Sequence, residues 1–121
     1  MKKENIIVDK TFAFAIRVVR LAQYLKKEHQ EFDMSKQILR SGTSIGANVE
    51  EATGGQSKRD FIAKMHISYK EARETRYWIR LLAATDYLDV KLSDSLLSDI
   101  DEIIRLLNAI LQSTKENLDK K

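Results

Sequence analysis

Arg59, His66, Arg73 and Arg80 recur every seven residues in this sequence. Seven residues are close to two turns of a helix, so the four side chains form a nearly straight row. Tyr69, Lys70, Arg76 and Tyr77 flank that row. Guanidinium groups neutralise phosphates and phenol rings stack on unpaired bases, so the interleaving suits nucleic acid, single strands above all. Arg59, Lys70, Arg73, Arg76 and Arg80 are the candidate electrostatic contacts, and Tyr69 and Tyr77 the candidate stacking groups. Arg17 and Arg20 are weaker cationic candidates. The competing reading is a solvated helix face whose tyrosines pack.

Charge by segment bears on the choice. Segments 6–28 and 57–86 are each net +3, five basic residues against two acidic and seven against four, whereas segment 93–117 is net −3, two against five. If the last two segments are antiparallel neighbours, Arg76 and Arg80 come level with Glu102 and Asp99. Part of the row is then paired internally.

Other chemistries find less support. A di-metal bundle needs Glu-x-x-His pairs, and neither His29 nor His66 has a glutamate three residues before it. Glu71 and Glu74 stand three apart, and an ion-paired or surface role suits them better than metal binding. Gly54-Gly55 lacks the spacing and the lysine-serine pair of a phosphate-binding loop. The absence of cysteine excludes disulfides and thiolate metal sites and fits a reducing cytoplasm. No catalytic residue, metal or cofactor is expected.

The elements that must position these residues are helical. The 121 residues suffice for one domain with one core, and the net charge is +3. No proline and only four glycines leave little punctuation for strands, so the spacing predicts an all-α protein. There is no apolar run of about 18 residues and no charged start leading into an apolar block, so neither a membrane span nor a signal peptide is expected. Helices are predicted over 6–28, 34–53, 57–86 and 93–117, with a polar start that frays and a mobile tail from Asn117.

The second helix is the most unusual. Met34, Ile38, Gly42, Ile45, Val49 and Ala52 fall on one core-facing stripe, beside a polar seam of Gln37, Ser41, Ser44, Asn48 and Glu51. Gly42 and Gly46 each weaken a helix by roughly 1 kcal/mol, which calls for the close approach of another backbone as compensation. Ser44 and Asn48 there are expected to hydrogen-bond the neighbouring helix and fix its alignment. Asp33 or Ser35 is expected to cap this helix, and Gly54-Gly55 to end it in left-handed conformation. Ser57 caps the third helix and Ser93 or Asp94 the fourth. A turn at Gly55 brings Arg40 level with Glu71 and Glu74.

The first helix carries two apolar stripes, Val8, Phe12, Ala15, Val19 and Ala22 beside Phe14, Val18, Leu21 and Leu25. A face this broad suits two neighbours in a bundle. The third helix keeps Phe61, Met65, Ser68, Ala72, Thr75, Ile79 and Leu82 in strict register, and the fourth Leu96, Ile100, Ile103, Leu107 and Ile110, widened by Leu97, Ile104 and Leu111. Four helices with short connections predict a left-handed, antiparallel up-down-up-down bundle. Surplus apolar surface, with Ile67, Tyr77, Trp78 and Leu81 off the main stripe of the third helix, points to self-association.

Gln37, Arg40, Ser41, Ser44-Ile45, Ala47-Asn48 and Glu51, followed by Ser57-Lys58, Phe61 and Glu74, resemble the four-helix-bundle family encoded in intervening sequences of bacterial 23S ribosomal RNA genes. The resemblance covers residues 5–113, and the Ser-Ile-x-Ala-Asn-x-x-Glu run is its most specific part. Lys70-Glu71 departs from it, standing where many members have Gly-Ser. The resemblance implies a ring-like homopentamer. It also implies kinship with the accessory protein of diversity-generating retroelements, a basic barrel that binds nucleic acid and a reverse transcriptase. Separately, Arg59 and His66, six residues between them, resemble the Arg-x4–6-His element of HEPN-type ribonucleases, also helical bundles, which implies action of both on a scissile phosphate. The supporting polar residues of that family are absent.

The reading is therefore a non-enzymatic, cytoplasmic, oligomeric bundle that binds RNA or a ribonucleoprotein. In it Gln37, Arg40, Gly42, Ser44, Gly46, Asn48, Glu51 and Glu74 are architectural. The alternative is a purely structural or protein-interaction module with itself or another protein as partner.

Overall fold

A computed structural model describes residues 3–119, with side chains described over 5–117. Four helices follow one another: α1 Lys3–His29, α2 Asp33–Thr53, α3 Lys58–Ala84 and α4 Val90–Asp119. No strand occurs among the described residues. Each helix packs on its chain neighbours, and α1 closes the ring against α4 along the thinnest seam. Cross-helix contacts nest around the α2–α3 connection, Glu51 with Lys64, Ile45 with Ser68 and Ser41 with Thr75, and around the α1–α2 connection, Val18 with Gly42 and Thr11 with Gly46, so these neighbours run antiparallel. The expected mobile tail is helical to Asp119, and Lys120 and Lys121 lie outside the described residues. Of the expected frayed start, Met1 and Lys2 also lie outside them.

The stripes of α2, α3 and α4 form the core. Ile38, Ile45 and Val49, Met65, Ala72 and Ile79, and Ile100, Ile103 and Leu107 are buried almost completely. On α1 the outcome differs. Ile7, Phe14, Val18, Leu21 and Leu25 are buried, but Phe12 and Val19 of the other stripe stand exposed beside Ile16. Two neighbours do flank α1, yet their contact lines converge on one side, which leaves a ridge uncovered.

Both α2 glycines face α1. A Cβ on Gly42 would lie 2.7 Å from the methyl carbons of Val18, and one on Gly46 3.3 Å from the carbonyl oxygen of Thr11. The hydrogen bonds that cross between helices come from other residues than expected. Asn48 donates to the Ser44 carbonyl within α2. The buried Ser68 hydroxyl donates to the Ile45 carbonyl at 2.8 Å, and Thr75 bonds Ser41 at 2.9 Å. Small hydroxyls fit where two backbones approach, whereas Asn48 is long enough to fold back on its own turn.

Several helix ends also differ from expectation. Ser57 caps α3 as expected, accepting from the Asp60 amide at 3.1 Å. At α2 the Glu31 carboxylate takes the Ser35 amide at 2.8 Å, and neither Asp33 nor Ser35 caps. At α4 it is Asp89, not Ser93 or Asp94, that accepts from the Leu92 amide at 2.8 Å. No glycine adopts positive φ, Gly54 lying at −92°. The left-handed positions belong instead to Gln30 (φ 49°) and Asp86 (φ 69°). Beyond Asp86, the Tyr87 amide reaches the Leu82 carbonyl and the Asp86 amide that of Ala83, a paired closure of the helix end.

Candidate nucleic-acid interface

Positions 73, 76, 77 and 80 are spaced by one and two turns, so α3 presents their side chains along one edge. That edge meets α4 in a groove of about 480 Å³ lined by Arg73, Arg76, Tyr77, Arg80, Asp101 and Ile104. Arg76 Nε donates to Asp101 at 2.7 Å. Among the described residues neither Arg73 nor Arg80 has a carboxylate partner, so cationic charge outweighs the one acidic group.

Neighbouring side chains hold these groups in place. Arg73 donates to the Tyr69 hydroxyl at 3.3 Å, with its guanidinium carbon 5.9 Å from the ring centre. His66 stacks on the same ring at 6.2 Å. Tyr69 is half-buried against the core, so it steadies Arg73 and is poorly placed as a platform. Tyr77 is 54% exposed and meets Trp78 edge to face at 5.4 Å. Trp78 Nε1 donates to Glu74 at 3.1 Å, and Arg40 bridges Glu74 and Glu71 from α2. A relay of contacts thus runs from the α2 motif to the ring in the groove.

Arg59 and Lys70 are exposed on the same helix but do not line the groove. Arg59 lies fourteen positions before Arg73, roughly 20 Å along the axis. Gln37 is exposed, and Glu51 pairs with Lys64 at 2.8 Å. The expected pairing of Arg76 and Arg80 with Glu102 and Asp99 is corrected. Lys10 holds Glu102 at 3.1 Å and Arg17 holds Asp99 at 2.6 Å, both across the α1–α4 seam. Residues 99 and 102 share one edge of α4, whereas 101 and 104 share the opposite edge, towards α3. Asp101 and Ile104 are therefore the groove residues that sequence reasoning missed: periodicity puts them on one edge of α4, and packing decides that this edge meets α3. Arg20 lies outside the groove, in a separate apolar cleft with Ile16, Leu21, Tyr24 and Leu96.

The family model for the 23S rRNA-intervening sequence protein matches residues 3–109. The chain belongs to that family. A similar solved structure is a protein of unknown function from the S23 ribosomal protein family of Bacteroides thetaiotaomicron. It is 50% identical, with a TM-score of 0.90, and the match covers 92% of this chain and 99% of that one. No curated protein matches. In this member of the 23S rRNA-intervening sequence protein family, no helix of the described residues is long and apolar enough to cross a membrane.

Proposed function

We propose that this protein is a non-enzymatic, homo-oligomeric bundle of the cytoplasm that binds RNA through the basic groove of α3 and α4. The observation that supports this reading is the convergence of Arg73, Arg76 and Arg80 on one groove that holds a single carboxylate, Asp101. Binding of this kind releases counterions, so log affinity falls steeply with log salt. A gel-shift salt series on structured RNA tests it. Arg73→Glu is expected to weaken binding to every RNA alike and to flatten the salt slope by roughly one. Binding no tighter than that of an unrelated protein of equal charge would overturn the reading.

A second reading, a structural or protein-interaction module, draws support from the uncovered ridge of α1. Phe12, Ile16 and Val19 are 63%, 47% and 38% exposed at helical spacing. The two readings are compatible if the ridge joins copies of the chain, for which the resemblance implies five. Catalysis has weaker support. Arg59 and His66 are exposed, and His66 is stacked on Tyr69. RNA cleavage by pure protein, lost in His66→Ala, would overturn the non-enzymatic assignment.

A further inference from the structure

The groove between α3 and α4 carries more than charge, and its other features narrow what it takes. Tyr77 stands between two arginines, Arg73 one turn before it and Arg80 one turn after. Those two lie roughly 10 Å apart along the axis, a span that brackets one base and its flanking phosphates. The Tyr77 ring is exposed, yet its edge-to-face contact with Trp78 holds it upright. Asp101 is held by Arg76 through Oδ1, which leaves lone pairs on Oδ2 for another donor. A carboxylate repels phosphate and accepts from amino or hydroxyl groups, which base edges and ribose supply. Ile104 adds an apolar patch beside it. The volume, about 480 Å³, falls in the range of small-ligand sites.

We infer that the groove holds a single unpaired nucleotide. Its base stacks on Tyr77, its phosphates meet Arg73 and Arg80, and an amino or hydroxyl donor of base or ribose meets Asp101. This rests on the RNA-binding reading and adds the class of substrate to it. A duplex keeps its bases stacked inside, so only its phosphates reach the groove and Tyr77 contributes nothing.

Filter binding across a salt series tests the inference with two probes, a short single-stranded RNA and the same strand annealed to its complement. The single strand is expected to bind roughly fivefold tighter or more. Tyr77→Ala is expected to cost the single strand about tenfold and to leave the duplex and both salt slopes unchanged, because it removes a ring and no charge. Tyr77→Phe keeps the ring and is expected to bind as the unaltered protein. Asp101→Ala is expected to narrow the gap between the probes, since it removes both a base acceptor and a repulsion of phosphate. Equal binding of both probes, each abolished by Arg73→Glu, would sink this inference and leave RNA binding standing. An equal loss on both probes in Tyr77→Ala would also sink it. If neither probe binds above an unrelated basic protein, both readings fall together.

Discussion

A methyl group on Gly42 would come within 2.7 Å of both methyl carbons of Val18, a stiff β-branched side chain in the core of α1. Alanine gains roughly 1 kcal/mol in helix propensity, but here the clash outweighs it. Gly42→Ala is expected to destabilise the protein by about 1–3 kcal/mol in urea unfolding, as overpacking does. Adding Val18→Ala makes room, and the pair is expected to cost less than the two changes taken separately. The presence of two glycines a turn apart was enough to signal close approach. Which helix approaches was not legible, because Val18 and Thr11 look like ordinary core positions in the sequence. The same holds at the groove. Arg73, Arg76, Tyr77 and Arg80 could be placed on one face from spacing alone, but Asp101 lies far along the chain and becomes a neighbour only through packing.

Helix existence and the stripes of α2, α3 and α4 were legible because a 3.6-residue period persists over many turns. The cap at Ser57, three residues before Asp60, was legible because the apolar stripe of α3 fixes where that helix begins; the equally local Asp89 cap was missed because α4 begins at Val90, earlier than its stripe indicates. Gln30 and Asp86 carry the left-handed positions just past the ends of α1 and α3, where the chain must turn back towards the next helix, a tertiary demand that overrides the preference for glycine. Between α2 and α3, alignment rests on buried hydroxyls. Ser68→Ala removes the bond to the Ile45 carbonyl and is expected to cost about 1 kcal/mol by thermal or urea unfolding, with helix content retained. An unchanged stability would show that apolar packing alone sets the register there.

Across the whole molecule, acidic and basic surfaces are sorted by helix: α4 spends Asp99 and Glu102 on α1 and Asp101 on α3. These pairs are partly exposed, so each contributes little to stability and more to deciding which cations stay available. The ridge on α1 belongs to the same scale, because nothing among the described residues covers it. Phe12→Glu is expected to shift light scattering towards the single subunit while circular dichroism stays unchanged. An unaltered mass would move the interface elsewhere. The chain has one tryptophan, and it leans on the tyrosine at the groove. The molecule therefore carries its own optical reporter: a base settling on Tyr77 changes the surroundings of the indole and hence its emission. A titration followed at the wavelength of that emission needs no label, and the signal is expected to respond to unpaired strands and to stay flat with a duplex.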